Sequence, residues 1–329
     1  MSSSEDDLIA RIFRPIAGEG ALGLLDDAAR LIPPPGHDLV LTADALVAGV
    51  HFFPDDPPAS IAAKALRVNL SDLAAKGADP LGFLLTIALS RGTSDAAWLE
   101  AFADGLYADS ETYACPLLGG DTVSTPGPLS LSITAIGAVP AGRMVARTTA
   151  RPGDAILVSG TIGDGALGLA LRLDPGAAWA AVLSEHDREH LLDRYLHPRP
   201  RNALAPALRT HASAAMDVSD GLAGDAAKLL AASGIGGVID LAQVPLSLAA
   251  RHAIAFDPAL LERAMTGGDD YEILAAVPQD AVEAFRAEAA EAGVALAVVG
   301  AAGEPEGPVV LRGADGAEVR YALRSYSHL

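Results

Sequence analysis

Apolar positions between Ser60 and Lys76 recur at helical spacing: Ile61, Ala65, Leu66, Val68 and Leu73 form one stripe and predict an α-helix. The same period runs through 95–114, where Ser94 is the expected N-cap, and through Leu222 to Ala232. Aliphatic runs predict strands over Asp38 to Thr42, Leu81 to Leu89, Leu129 to Val139, Ala155 to Ser159 and Ile273 to Val277. Within Leu129 to Val139 apolar and polar residues alternate, as a sheet with one solvated face requires. Residues 174–190, carrying Glu185, His186 and Asp187, read as a polar helix. Both halves mix strands and helices without strict βα alternation, which predicts a mixed α/β (α+β) fold. The turn-rich segment Arg147 to Asp154 precedes a new strand, so a domain boundary is expected there, between residues 1–147 and 148–329.

Composition narrows the function classes. The chain has 329 residues, half of them hydrophobic, enough for two domains with their own cores. Its net charge of -19, from 42 acidic and 23 basic residues, argues against nucleic acid or an anionic membrane as partner, because phosphate surfaces need a basic footprint. Cys115 is the only cysteine, which excludes a disulfide framework and a zinc site with two thiolates; it is expected to be a small buried apolar residue. The acidic start lacks an apolar signal core, and the stretch Leu81 to Leu89 is too short to span a bilayer, so a soluble cytoplasmic protein is expected.

The aspartates carry the candidate chemistry. Asp26 and Asp27 follow Gly23-Leu-Leu25, and Asp44 follows the strand ending at Thr42. Asp72 lies in an Asn-Leu-Ser-Asp patch inside an apolar helix, Asp121 follows Gly119-Gly120, and Asp217 and Asp220 flank Val218-Ser219. Taken singly, each is an ordinary turn aspartate or helix cap. Gathered in one place they would repel one another unless hard cations sat among them. Magnesium takes oxygen ligands and bridges carboxylates to phosphates, an arrangement suited to phosphoryl transfer. Spacing alone leaves both readings open.

Gly163-Asp-Gly165-Ala-Leu-Gly168 matches a dinucleotide fingerprint after a strand, so a dinucleotide-binding oxidoreductase must be weighed. The acidic residue expected about 20 positions further on is missing. The glycines are therefore expected to form a tight strand-to-helix turn. Neither a Walker A sequence nor the protein-kinase signatures are present.

Several segments, taken in order, resemble the thiamine-monophosphate kinases, in the superfamily that includes aminoimidazole ribotide synthetase. They are Leu25-Asp-Asp-Ala-Ala29, Leu41-Thr-Ala-Asp44, Gly49-Val-His-Phe52 and 68–78. They continue with Gly119-Gly-Asp-Thr122, 147–154, Asp217-Val-Ser-Asp-Gly-Leu222 and Gly267-Gly-Asp-Asp-Tyr-Glu272. The resemblance implies a two-domain fold, with an N-terminal domain that forms a barrel across a homodimer and a C-terminal α/β domain. It implies direct magnesium-dependent transfer of the ATP γ-phosphoryl group to thiamine monophosphate. Asp27, Asp44, Asp72, Asp121 and Asp217 would be magnesium ligands, with Thr42 assisting and Asp220 holding another metal. Asp72, Asp121 and Asp217 would be the catalytic carboxylates, and Gly120, Asp121, Arg147 and Ser219 would contact ATP. His51 and Asp269 would lie at the thiamine phosphate, with Tyr326 against the cationic ring.

Two positions depart from the family pattern: Ala43 replaces a common hydroxyl residue, and Asp269 stands where glutamate is usual, one methylene shorter. Outside the resemblance, His51 reads as a hydrogen-bonded core histidine, Arg147 as a surface salt-bridge residue and Tyr326 as packing for a terminal strand. A selenophosphate synthetase would need a reactive Cys or selenocysteine and a Lys near the start, and residues 1–63 contain neither Cys nor Lys. An amidine-forming ligase and a non-catalytic metal or nucleotide sensor are the remaining alternatives; the intact Asp72 and Asp121 stand against the sensor.

Overall fold

A computed structural model describes residues 9–90, 95–322 and 325. The chain divides into two compact units: Met1–Leu73 with Ala78–Gly142, and Ala74–Gly77 with Arg143–Leu329.

The first unit runs through strand β1 (His37–Val47), helix α1 (Pro58–Ala75), strand β2 (Asp79–Leu89), helix α2 (Ala96–Thr112), and strands β3 (Leu117–Ser124) and β4 (Ser130–Pro140). The strands form one sheet in the order β1-β4-β2-β3, with β3 parallel to β2 and the other pairs antiparallel. In α1 every residue of the predicted stripe is buried, and so are Ala62, Leu70 and Ala74, so the helix is enclosed nearly all round. Asp95, not Ser94, caps α2: its Oδ1 accepts the Trp98 N–H at 2.7 Å, while Ser94 lies outside the described residues. The Arg67 guanidinium on α1 grips Asp109 on α2 with two bonds of 2.6 and 2.7 Å. One sheet face buries Phe83, Leu85, Ile87, Leu131 and Ile133, whereas on the other Leu39, Leu41 and Leu84 are exposed. Cys115 is buried as expected, and burial pushes its thiol up to about 12 against a weaker opposing hydrogen bond from the Gly82 backbone.

The second unit continues with strand β5 (Ala155–Ser159), helices α3 (Asp164–Leu173), α4 (Glu185–Leu196) and α5 (Ala205–His211), strand β6 (Ala214–Val218) and helix α6 (Leu222–Ala232). Strand β7 (Ile235–Asp240), helices α7 (Leu248–Phe256) and α8 (Leu260–Thr266), strand β8 (Glu272–Val277), helix α9 (Val282–Glu291) and strands β9 (Leu296–Pro305), β10 (Val309–Arg312) and β11 (Glu318–Val319) complete it. Its sheet has the order β11-β10-β7-β9-β5-β8-β6. Alternate residues of β5, β6 and β8 enter two different cores: Ile156, Met216 and Leu274 join the one with Leu229 of α6, and Leu157, Ala215 and Ala275 the one with Phe285 of α9. Strands covered on both faces explain why these runs are continuously apolar. The polar helix expected over 174–190 breaks in two, a 3-10 turn at Ala178–Val182 and then α4. Pro175 and Gly176, directly after α3, keep a helix from starting at 174, and a capping box between Ser184 and Asp187 starts α4 after the 3-10 turn. No helix among the described residues is long and apolar enough to cross a membrane.

Candidate active site

Strand β3 brings Gly120 and Asp121 to the sheet edge in the first unit. Gly120 has φ 154°, and a Cβ there would overlap the Leu85 carbonyl oxygen on β2, so only glycine lets the strands meet. Asp121 is exposed and in register with Thr86 of β2, itself exposed. A cavity of about 660 Å³ opens there, and Asp26, Asp27, Thr86, Gly120 and Asp121 all contribute to its wall. Thr122 and Thr134 add two more hydroxyls, and apolar side chains, among them Leu31, Leu84 and Ile136, form most of the remainder. This is a concave, largely apolar site with a few polar groups, of the size small ligands occupy.

A second cluster joins β1 to α1. The Thr42 hydroxyl donates a short hydrogen bond to Asp72 Oδ2, and the Asp44 N–H donates to Asn69 Oδ1 at 3.0 Å. Asn69 is itself buried and fixed by its Nδ2 on the Ala65 carbonyl oxygen. The strand continues through Val47, so Asp44 sits within β1 rather than beyond its end. Asp44 opposes the buried Ile133 and Asp121 lies in register with the exposed Thr86, so these two carboxylates belong to different faces of the sheet. His51 occupies the turn after β1, where its Nδ1 accepts the Val47 N–H at 3.0 Å. The hydrogen bond expected from the sequence is thus present, although the ring is half-buried rather than in the core, and an Nδ1 acceptor selects the neutral tautomer protonated at Nε2.

In the second unit the remaining candidates gather at the β6 edge. Asp217, on β6, is buried, while Ser219 and Asp220 in the following loop are half-buried. The Ala215 N–H donates to the Ala146 carbonyl oxygen at 3.2 Å, which lays the segment bearing the exposed Arg147 alongside β6. The loop 266–271 closes on the same place: the Asp269 N–H donates to the Ser219 carbonyl oxygen at 2.9 Å, and the Tyr271 N–H to that of Val218 at 2.8 Å. Asp220 Oδ2 lies 2.5 Å from Lys228 Nζ, which also reaches Asp225 Oδ1 at 2.9 Å. A tethered ammonium therefore already holds the carboxylate assigned to a further metal. Tyr326 lies outside the described residues.

Among the described residues no group of three Asp, Glu, His or Cys is close enough to hold a metal by itself. The donors present are all oxygens and come as small sets, Asp27 with Asp121 around the cavity and Thr42 with Asp72. Magnesium is commonly held by one or two carboxylates together with substrate phosphates, so these sets fit that ion. Sequence reasoning missed Asn69 as the anchor of β1, Lys228 at Asp220, and the buried network around Asp270 and Glu272. Asp270 and Glu272 could have been suspected from the Gly-Gly-Asp-Asp-Tyr-Glu run. Their partners Arg194 and Arg201 carry no local signal.

Comparison with known proteins follows the same division. The model of the AIR synthase related protein N-terminal domain matches residues 25–139, and that of the C-terminal domain residues 151–312. The thiamine-monophosphate kinase of Caulobacter vibrioides is 47% identical over 309 residues, covering 92% of this chain and 85% of the relative. The crystal structure of thiamine-monophosphate kinase from Stenotrophomonas maltophilia K279a superposes with a TM-score of 0.83 at 37% identity, covering 97% of this chain and 99% of that one. AaThiL complexed with AMPPCP and TMP gives a TM-score of 0.77 at 29% identity, covering 98% and 97%. With both domains matched in order and a relative alike over nearly all of its length, the chain belongs to the thiamine-monophosphate kinase family of AIR synthase related proteins.

Proposed function

We propose that the protein is a magnesium-dependent kinase that transfers the γ-phosphoryl group of ATP directly to thiamine monophosphate, giving thiamine diphosphate and ADP. The observation that carries this reading is the cavity walled by Asp27, Gly120 and Asp121 in a chain 47% identical to a thiamine-monophosphate kinase. The AaThiL complex with AMPPCP and TMP supports the same pair of reactants.

Gly120, Asp121, Arg147 and Ser219 are proposed to hold ATP, the Arg147 fork matching phosphate oxygens and the glycine admitting the ligand close to the backbone. Asp27, Thr42, Asp44, Asp72, Asp121, Asp217 and Asp220 are proposed as magnesium ligands, not all of them on one ion, since Asp44 and Asp121 of one chain belong to different sheet faces; Asp72, Asp121 and Asp217 are proposed to act at the reacting phosphates. Bound magnesium would offset the repulsion between two anionic reactants and the charge that develops during transfer. The Thr42 hydroxyl orients Asp72, and Asn69 fixes the backbone of Asp44, so both carboxylates are positioned before any ligand arrives. His51 would present its Nε2–H to the acceptor phosphate, and Asp269 and Tyr326 would contact the thiamine end. Residues 1–147 are proposed as the nucleotide- and metal-binding domain and 148–329 as the second. The exposed apolar face of β1 and β2 supports pairing of the first domain with a second copy, and the chain is proposed to act in the cytoplasm.

Incubating the protein with ATP, magnesium and thiamine monophosphate is the test. Thiamine diphosphate and ADP in equal amounts are expected; their absence with folded protein overturns the reading.

A further inference from the structure

The glycine-rich run at the start of α3 opens its helix as a dinucleotide-binding loop does, but the protein fills the place with a carboxyl group of its own. Both carboxylate oxygens of Asp270 accept the Gly163 N–H at 2.9 Å, and one also accepts the Gly165 N–H at 3.3 Å. The first turn of a helix offers unpaired N–H groups and the positive end of its dipole, and phosphates commonly sit there. Here the fully buried Asp270 fills that place.

We propose that Asp270 is a positioning residue for the phosphate acceptor, acting through the backbone of Asp269; this rests on the kinase reading above. Asp269 has φ 62° and Tyr271 φ 52°, so left-handed residues flank Asp270 on both sides. Side chains other than glycine hold that conformation only where the surroundings over-determine it. Four ties do so here. The Tyr271 N–H binds the last residue of β6 and the Asp269 N–H the loop after it, and the Asp270 carboxylate binds the start of α3. Arg194 Nη2 donates to the Asp270 carbonyl oxygen at 3.1 Å. Arg194 is itself held by the buried Glu272 at 3.0 Å, which also accepts from Ser159 Oγ at 2.6 Å and pairs with Arg201. At Gly165 a Cβ would overlap the Asp269 carbonyl oxygen, so helix and loop are at closest approach. Asp270 is thus buried against the helix while its neighbour Asp269 stays half-buried beside Ser219, and the anchored carboxylate decides where the Asp269 side chain stands.

The test is a double-mutant cycle in the full-length protein, read by steady-state kinetics and by calorimetric binding of thiamine monophosphate. Asp270→Asn keeps the volume but turns an amide donor or a weaker acceptor toward the α3 N–H groups. It is expected to raise the KM and Kd for thiamine monophosphate by about 10-fold to 100-fold, with the KM for ATP changing less than about threefold. In an Asp269→Ala background the same change should cost less than about twofold, because a residue that works through another loses its effect when that one is gone. A purely structural role would instead lower the thermal midpoint and the active fraction, leave the acceptor KM in place, and add to Asp269→Ala; that result overturns the proposal. Should Asp270→Asn not fold, Arg194→Lys keeps the charge beside Glu272 but loses the fork on the Asp270 carbonyl oxygen. It is expected to raise the acceptor KM about threefold to 10-fold, and a value within about twofold of the unmodified protein overturns the proposal. An unmodified protein that makes no thiamine diphosphate sinks the kinase reading instead.

Discussion

Thr42 pairs with Asp72, and Asn69 holds the Asp44 backbone, across an otherwise apolar helix–strand contact, an arrangement that serves a ligand better than it serves packing. Asp72→Asn retains an oxygen that can accept from Thr42, so the fold should persist while the charge is lost. Turnover is expected to fall by about 100-fold or more, the scale of several kcal/mol of charge stabilisation, with an unchanged circular dichroism spectrum. Wild-type turnover in that variant would remove Asp72 from the proposed metal set. Asp269 balances two demands: a short Asp tolerates the left-handed backbone, whereas the glutamate that the resemblance leads one to expect there would reach further. Asp269→Glu should therefore lower the acceptor KM a few-fold and cost about 1 kcal/mol of stability, measured by kinetics and urea unfolding on the same sample. Asp164 supplies a pH-dependent term. Burial raises its pKa, but hydrogen bonds from His190, Ser247 and Thr161 outweigh that and hold the carboxyl below its ordinary value. A depressed folded-state pKa gives stability that is complete above the unfolded value of about 3.9 and lost as pH falls through the folded one. The gap in urea midpoint between the wild type and Asp164→Asn should be widest near pH 7 and close in strong acid.

Elements meet here at glycines. A Cβ at Gly168 on α3 would overlap the Leu191 carbonyl oxygen of α4, so that pair of helices is as close as two backbones allow. Gly168→Ala should force them apart at a cost of about 1–3 kcal/mol, seen as a lower thermal midpoint. The glycine run that imitates a nucleotide fingerprint therefore follows helix packing at Gly168 and an internal carboxylate at Gly163 and Gly165. Helix positions were legible because the 3.6-residue period survives even in the nearly enclosed α1, and Leu222–Ala232 has the expected bounds. Strand ends were less legible. β1 extends past Thr42 to Val47 because its pairing with β4 continues, and no residue between them breaks an extended chain.

For the whole molecule, the open sheet face with Leu39 at 41% and Leu41 at 62% exposure is the feature a lone copy tolerates least. Light scattering is expected to give twice the chain mass of 33.5 kDa, and Leu41→Asp should return it to one. A single-chain mass for the unmodified protein would remove the proposed pairing.

Periodicity, turn chemistry and the order of motifs determined the mixed α/β class, the main helices and strands, and the family, because each is written in residues close together along the chain. Which carboxylates share a space was decided only by the tertiary structure. Asp27 meets Asp121 in one cavity across 94 positions of sequence, since 121 − 27 = 94, while Asp44, only 17 positions after Asp27 (44 − 27 = 17), belongs to the opposite face of the sheet. Strand register and chain crossover set that outcome, and neither leaves a local trace. The same holds for Asp270, whose partners at Gly163 and Arg194 come from distant elements that only the folded sheet brings together.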